Sequence, residues 1–341
     1  MSNPYTYTEP VKGKHGFFNR TSEFTRIASR IAADRPQSVS IVGGPRSGKT
    51  SIINMLCDPE SQSEYLDNPD HYLILYLALR ERPPANPETF FAQLAEAVAA
   101  SGRESMEPHY EGFNNLVVKR LMPENIKLVI FLDDFALVTQ NSEFPLDFFS
   151  FMRSVANSND VGYVTTSHAP LQELCYNKGI EESPFFNIFT TVNLEPFKVE
   201  EARRLVEEPA QNAGRALGEG VEWSLELGGQ FPYLLQVTAG HAFAAAGNGL
   251  DKDGLSSLAY NEVKPFLQDL WENHWREPEQ EVLRTLCEGK DVERRHEYVA
   301  EELSKQGYLR KENDNYSIAA GLLERYVKEG GSRSFWKKLF S

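Results

Sequence analysis

Residues 43–50 read Gly-Gly-Pro-Arg-Ser-Gly-Lys-Thr. This matches GxxxxGK[ST], and its flanks restrict what can surround it. Before it, residues 38–42 (SVSIV) form a short β-rich run; after it, residues 51–57 space their apolar side chains at a helical period. Strand, glycine loop and helix in that order let several backbone N–H groups turn inward onto phosphate oxygens. Glycine supplies the backbone freedom. Lys49 would neutralise the β- and γ-phosphates, and Thr50 would offer its hydroxyl to Mg²⁺. The helix starting near Gly48 would add the positive end of its dipole. The candidate nucleotide-binding residues are therefore Gly43, Gly44, Pro45, Arg46, Ser47, Gly48, Lys49, Thr50 and Ser51.

A second signal follows at residues 128–134, LVIFLDD. An apolar strand ending in an acid at its carboxyl edge is the Walker B arrangement. Asp133 is the expected Mg²⁺ residue, and Asp134, one position on, could polarise an attacking water as the catalytic base. A third run, residues 163–168 (YVTTSH), ends in polar residues. Thr166, Ser167 or His168 could stand near a γ-phosphate.

The strand-like runs 38–42, 72–79, 128–132, 161–166 and 188–194 alternate with helical patterns at 21–33, 88–100 and 146–156. That alternation predicts an α/β fold with a parallel sheet covered on both faces. Thr21 or Ser22 is the expected cap of the first helix. After Pro196 the pattern becomes helical, at 198–217, 221–227, 232–246, 262–274, 278–287 and 297–306. Residues 308–318 read as a hairpin turning at 313–315. Helix, helix and a two-stranded wing predict a winged helix.

With 341 residues, two or three domains are expected at roughly 150 residues each. Asp and Glu number 49 against 35 Lys and Arg, a net charge of −14. A field of that sign argues against a nucleic-acid partner, though a local basic patch stays open. Acids also outnumber bases over residues 261–341, and the helix at 297–306 carries Glu297, Glu301 and Glu302 against Lys305. Cys57, Cys175 and Cys287 are far apart, with no CxxC pair. Together with a polar start, this makes a reducing cytoplasm the expected compartment. His109, His241, His274 and His296 have no metal-ligand spacing. The tail from Gly330, with Arg333, Phe335, Trp336, Lys337, Lys338 and Phe340, mixes aromatics and cations. It is a candidate contact for a protein partner or a membrane interface.

GFFNRTSE (16–23), GGPRSGKTS, FLDD, TTSHAPL and LEPFKVEEARRLVEEPA together resemble the STAND class of AAA-like P-loop ATPases. They are also similar to archaeal-type ATPases and origin-recognition AAA+ initiators. Phe18-Asn19-Arg20 with Glu23 resembles the class's F-x-R-x-x-E box, which implies that Asn19 and Arg20 lie near an adenine. Residues 228–233, GGQFPY, resemble its G-x-P lid motif, which implies that Pro232 frames the nucleotide. The class usually carries an arginine where His168 stands, and residues 168–196 contain no arginine. Together these readings give a P-loop core (1–195), a helical lid (196–255) and a winged-helix domain (256–330), followed by the flexible amphipathic tail (331–341).

The function expected from this reading is an ATP-binding, slowly hydrolysing regulatory switch using ATP or ADP and Mg²⁺. Its output would be a protein partner or nucleotide-dependent self-assembly, with bacterial signalling or defence as the setting that family analogy suggests. The competing expectations are a DNA-associated ATPase of initiator or transposition-regulator type and a nucleotide-binding scaffold without turnover.

Overall fold

A computed structural model describes residues 2–246, 249–313 and 315–330. The chain forms two compact units: Pro10–Leu194, and Met1–Glu9 together with Glu195–Ser341.

The Pro10–Leu194 unit is built on β1 (Ser38–Val42), β2 (Tyr72–Ala78), β3 (Lys127–Asp133), β4 (Val161–Ser167) and β5 (Phe189–Asn193). The strands are parallel and ordered β2-β3-β4-β1-β5. The α/β reading with a parallel sheet therefore holds. Successive residues of β3 explain why the sheet is covered twice. Leu128, Ile130 and Leu132 enter one buried cluster, with Phe90, Phe91 and Phe148. Val129 and Phe131 enter another, with Ile27, Val39 and Ile41. Side chains alternate across a strand, so an uninterrupted apolar run needs helices on both faces. Phe90 and Phe148 meet edge to face with ring centroids 5.2 Å apart.

Register aligns the carboxyl ends of the inner strands. Ala78 pairs with Asp133, Leu132 with Thr165, and Val42 with Ser167. The loop after β1, the acid ending β3 and the polar end of β4 thus share one sheet edge.

Helix α1 (Thr21–Ile31) buries Ile27, Ala28 and Ile31. Its cap differs from the expected Thr21 or Ser22: Arg20 holds that position at φ 59°, without a side-chain cap bond. Asn19 and Arg20 are both left-handed, at φ 61° and 59°, and this pair turns the chain into the helix one residue early. Helix α2 spans Lys49–Cys57.

The other unit contains helices Val199–Asn212, Gly220–Gly228, Pro232–Ala245, Lys252–Asp269, Glu277–Cys287, Glu297–Lys305 and Gly321–Lys328. Strands β6 (Leu309–Glu312) and β7 (Asn315–Ile318) form an antiparallel hairpin. Helix Lys252–Asp269 begins ten residues before the periodicity suggests; Asp251 caps it, accepting from Gly254 N–H at 2.8 Å. Gly254, in its first turn, weakens the local helical signal. Helix Val199–Asn212 stops short of residue 217, with Gly214 left-handed at φ 73° soon after.

Residues 2–9, within the polar start of the chain, pack into this unit. Tyr5 is buried and its hydroxyl donates to the Val206 carbonyl. Asn3 Nδ2 donates to Gly240 O at 3.0 Å, and Thr6 N–H to Gln236 Oε1 at 2.9 Å. The tail from residue 331, with its partner and membrane expectations, lies outside the described residues.

Gly229 sits at φ 63°, and a Cβ there would come within 2.7 Å of the Ala319 carbonyl oxygen. Gly289, at φ 70°, faces open space. Gly229→Ala is expected to cost about 2–5 kcal/mol, combining left-handed strain with overpacking. Gly289→Ala is expected to cost only the strain, about 1–2 kcal/mol. Denaturant unfolding of the two variants checks the contrast; equal losses would contradict the close packing at Gly229.

Candidate functional site

The site begins where β1 ends. Gly43 N–H donates to Ser167 O at 3.1 Å. A Cβ at Gly43 would lie 2.7 Å from Ser47 Oγ and 3.1 Å from Leu194 Cβ, so a side chain there would push the loop outward. Gly44 O accepts from Ser47 N–H at 3.2 Å. Arg46 and Gly48 are left-handed, at φ 60° and 98°. Pro45 is half-buried and Arg46 exposed. Gly48 caps α2 without a side chain, so no capping group competes for the first-turn amides. That leaves them suited to an anion.

Lys49, the first residue of α2, donates from Nζ to Gly43 O at 2.8 Å and Gly44 O at 2.9 Å. Burial pulls its pKa down to about 8. The carboxylates of Asp134 and Asp133 oppose that shift, and Arg80 adds to it. An ammonium held this way gains when an anion arrives.

Asp133 gathers hydroxyls from other elements. Thr50 Oγ1 donates to its Oδ2 at 2.8 Å, Tyr76 OH to the same oxygen at 3.4 Å, and Thr166 Oγ1 to Oδ1. Burial first, and then the Asp133 charge, push the Tyr76 phenol up, which keeps it a donor. Asp134 is left-handed at φ 63°, and its N–H donates to Thr166 Oγ1 at 2.8 Å. Arg80 Nε donates to Asp134 Oδ2. The Thr50 hydroxyl and Asp133 carboxylate are hard oxygen donors at hydrogen-bond distance. They suit Mg²⁺, which takes few protein ligands and completes its shell with water and phosphate.

The remaining candidates are spread more widely. Arg20 is buried, donating from Nη1 to Glu23 Oε1 at 2.8 Å and from Nη2 to Ser47 O at 3.4 Å. It therefore braces the loop backbone, with Asn19 immediately before it. Ser51 Oγ accepts from Val11 N–H at 3.1 Å, while Asn54 Nδ2 donates to Val11 O at 3.0 Å. Of the three polar residues ending β4, Thr166 joins the acids. Ser167 is buried and donates to Ala169 O at 2.7 Å, and His168 is exposed. Pro232 belongs to the other unit, in the first turn of helix Pro232–Ala245.

Tyr76 and Arg80, at and just beyond the end of β2, are the site residues that the sequence motifs do not reveal. Their signal is positional: a polar residue ending any parallel strand of this sheet reaches the same edge.

A family model described as novel STAND NTPase 2 matches residues 33–292. No curated protein sequence matches the chain. Among solved structures, the chain is similar to the Walker-type ATPase of Pyrococcus abyssi, with TM-score 0.65 and 15% identity; the match covers 94% of this chain and 99% of that one. The ORC2 protein of Aeropyrum pernix in its ADPNP–ADP complexes matches with TM-score 0.63 and 14% identity, over 96% of this chain and 98% of that one. The Aeropyrum pernix ORC1 protein in complex with DNA matches with TM-score 0.50 and 16% identity, over 98% and 96%. At these identities the likeness is one of fold.

The depressed Lys49 pKa has a measurable consequence. Between about 8 and its ordinary 10.5, Lys49 is less protonated in the folded chain than in the unfolded one. The free protein therefore gains stability from this group as pH rises through that window. A bound phosphate raises the pKa again. Binding of ADP without divalent cation is thus expected to take up protons above pH 8, up to about one per site. Affinity should fall by at most about tenfold per pH unit there. Calorimetry in buffers of different ionisation enthalpy measures the uptake. Uptake that persists unchanged in Lys49→Met would assign it to another group.

Proposed function

Because the chain belongs to the novel STAND NTPase 2 family, we propose that it is a slowly hydrolysing ATPase switch whose nucleotide state controls assembly with a protein partner or with itself. The observation that carries this reading is the junction of Thr50 and Asp133, 2.8 Å apart at the sheet edge that also holds Lys49. A P-loop hydroxyl and a strand-end carboxylate held together beside a half-buried ammonium are the parts that phosphoryl transfer needs.

In this reading the loop amides and Lys49 hold the β- and γ-phosphates. Mg²⁺, held by Thr50 and Asp133, would neutralise charge between those phosphates. Asp134 orients water on the γ-phosphate. Slow turnover is supported by the state of Asp134: its carboxylate is engaged by Arg80 and its backbone is left-handed. Arg20, through Ser47 O, positions the loop from the adenine side. Family likeness supports reading residues 196–255 as a lid with Pro232 as its nucleotide-framing residue, and residues 256–330 as a winged helix.

The output is read as protein rather than DNA because basic side chains of the C-terminal region are engaged by acids. Arg295 pairs with Glu281 at 3.0 Å and Glu293 at 2.9 Å, Lys305 with Glu302 at 2.7 Å, and Lys311 with Glu301 at 3.6 Å. Such surface pairs add little stability, but they cancel the field that a phosphate backbone would meet. The DNA-associated reading draws support from the fold shared with the ORC1 protein solved on DNA. A strongly salt-dependent duplex affinity would favour it over the protein-output reading.

Size-exclusion with light scattering, in ADP and in a non-hydrolysable ATP analogue, tests the switch. Wild type is expected to change its assembly state with the analogue alone, and Lys49→Ala to stay unresponsive. A wild type that binds both nucleotides equally and never changes mass would instead support the scaffold reading.

A further inference from the structure

We propose that Arg80 is the cation that reads the third phosphate, and that its transfer from Asp134 to that phosphate releases the hydrolytic acid. The inference rests on the nucleotide reading above and names its triphosphate sensor.

Arg80 lies two residues beyond β2, in a turn fixed to the sheet edge. Leu79 N–H donates to Asp133 O at 3.2 Å, and the amides of Glu81 and Arg82 return to Ala78 O at 3.1 and 3.3 Å. The root of the side chain is therefore held beside the two acids. The side chain itself is 80% exposed, whereas that of Asp134 is 16% exposed. Asp134 is also locked through its backbone to Thr166. If the ion pair opens, the arginine is the partner with room to move.

Arg80 pairs with Asp134, and Asp134, Asp133 and Arg80 all act electrostatically on Lys49, so two cations and two carboxylates share one small region. Lys49 is the cation committed to the loop, through Gly43 O and Gly44 O. The segment from His168 to Pro196 supplies no arginine. Arg80 is the guanidinium that the fold places at this edge beside Asp134.

A terminal phosphoryl group carries more charge than one carboxylate and offers oxygens in the planar fork geometry that a guanidinium matches. An ion pair with one well-exposed partner is weak and yields to such a competitor. A diphosphate ends short of this position and leaves the pair intact. Once Arg80 has moved, Asp134 can accept a hydrogen bond from water. The water oxygen then bonds to Pγ, and the bond from Pγ to the bridging oxygen breaks, its electron pair leaving with the diphosphate. The water proton passes to Asp134 and on to solvent. One residue would thus couple recognition of the triphosphate to activation of the acid.

Competition against a fluorescent nucleotide, with Mg²⁺ present, measures Kd for ADP and for a non-hydrolysable ATP analogue. Arg80→Ala is expected to weaken the analogue about ten- to hundredfold and to leave ADP within about twofold. Arg80→Lys, which keeps the charge without the fork, should fall between. Asp134→Asn should tighten the analogue several-fold (roughly a gain from freeing the guanidinium) and lose that effect when combined with Arg80→Ala. Equal changes for analogue and ADP in Arg80→Ala, or no change in either, would overturn the proposal. So would an Asp134→Asn effect that survives removal of Arg80. If wild type binds neither nucleotide, or Lys49→Ala binds as well as wild type, the nucleotide reading fails first, and this inference with it.

Discussion

The carboxylate of Asp133 ties the nucleotide edge of the sheet together. It accepts from Thr50 on α2, Thr166 on β4 and Tyr76 on β2, so a single side chain spans the phosphate loop and the strands on either side of its own. That is possible only because the strands are parallel and in register, with Ala78 beside Asp133 and Val42 beside Ser167. Parallel pairing in turn demands that β3 be buried on both faces, as its alternating side chains are. The chemistry at the edge and the apolar packing beneath it are consequences of the same topology.

Electrostatics at this edge are tense in a way that suits a ligand. Lys49 is half-buried; desolvation lowers its pKa, and the carboxylates near it compensate only partly. An anion would relieve that imbalance, so binding free energy and the stability of the loop are linked. Backbone strain collects in the same place: Asn19, Arg20, Arg46 and Asp134 are non-glycine residues at positive φ. Left-handed conformations cost energy and persist where the surroundings over-determine them. Here those surroundings include the Arg20 bond to Ser47 O and the Thr166 bond to Asp134 N–H.

The candidate phosphate loop stood out because its chemistry needs particular residues at fixed spacing, and the candidate acids stood out because an apolar run ended in them. The helical unit stood out less. Gly254 sits in the first turn of a long helix and weakens its local signal, and tertiary packing overrode the local pattern. Residues 2–9 belong to the polar start of the chain, yet Tyr5 is buried and Asn3 bonds to Gly240 O. No periodicity marks a segment held by one tyrosine and a few backbone bonds.

By itself, the sequence determined the α/β class with its parallel sheet and singled out residues 43–50, 133 and 134 as the candidate site, since both follow from short-range spacing and from apolar runs. Tertiary structure decided which polar residue at the end of β4 meets Asp133, and it selected Thr166 over Ser167 and His168. It also brought Tyr76 and Arg80 to the acids from more than fifty positions away. The physical reason is strand order. β2 pairs with β3 although several helices separate the two in the chain, and a side chain's neighbours across a sheet are set by pairing and register rather than by its neighbours in sequence.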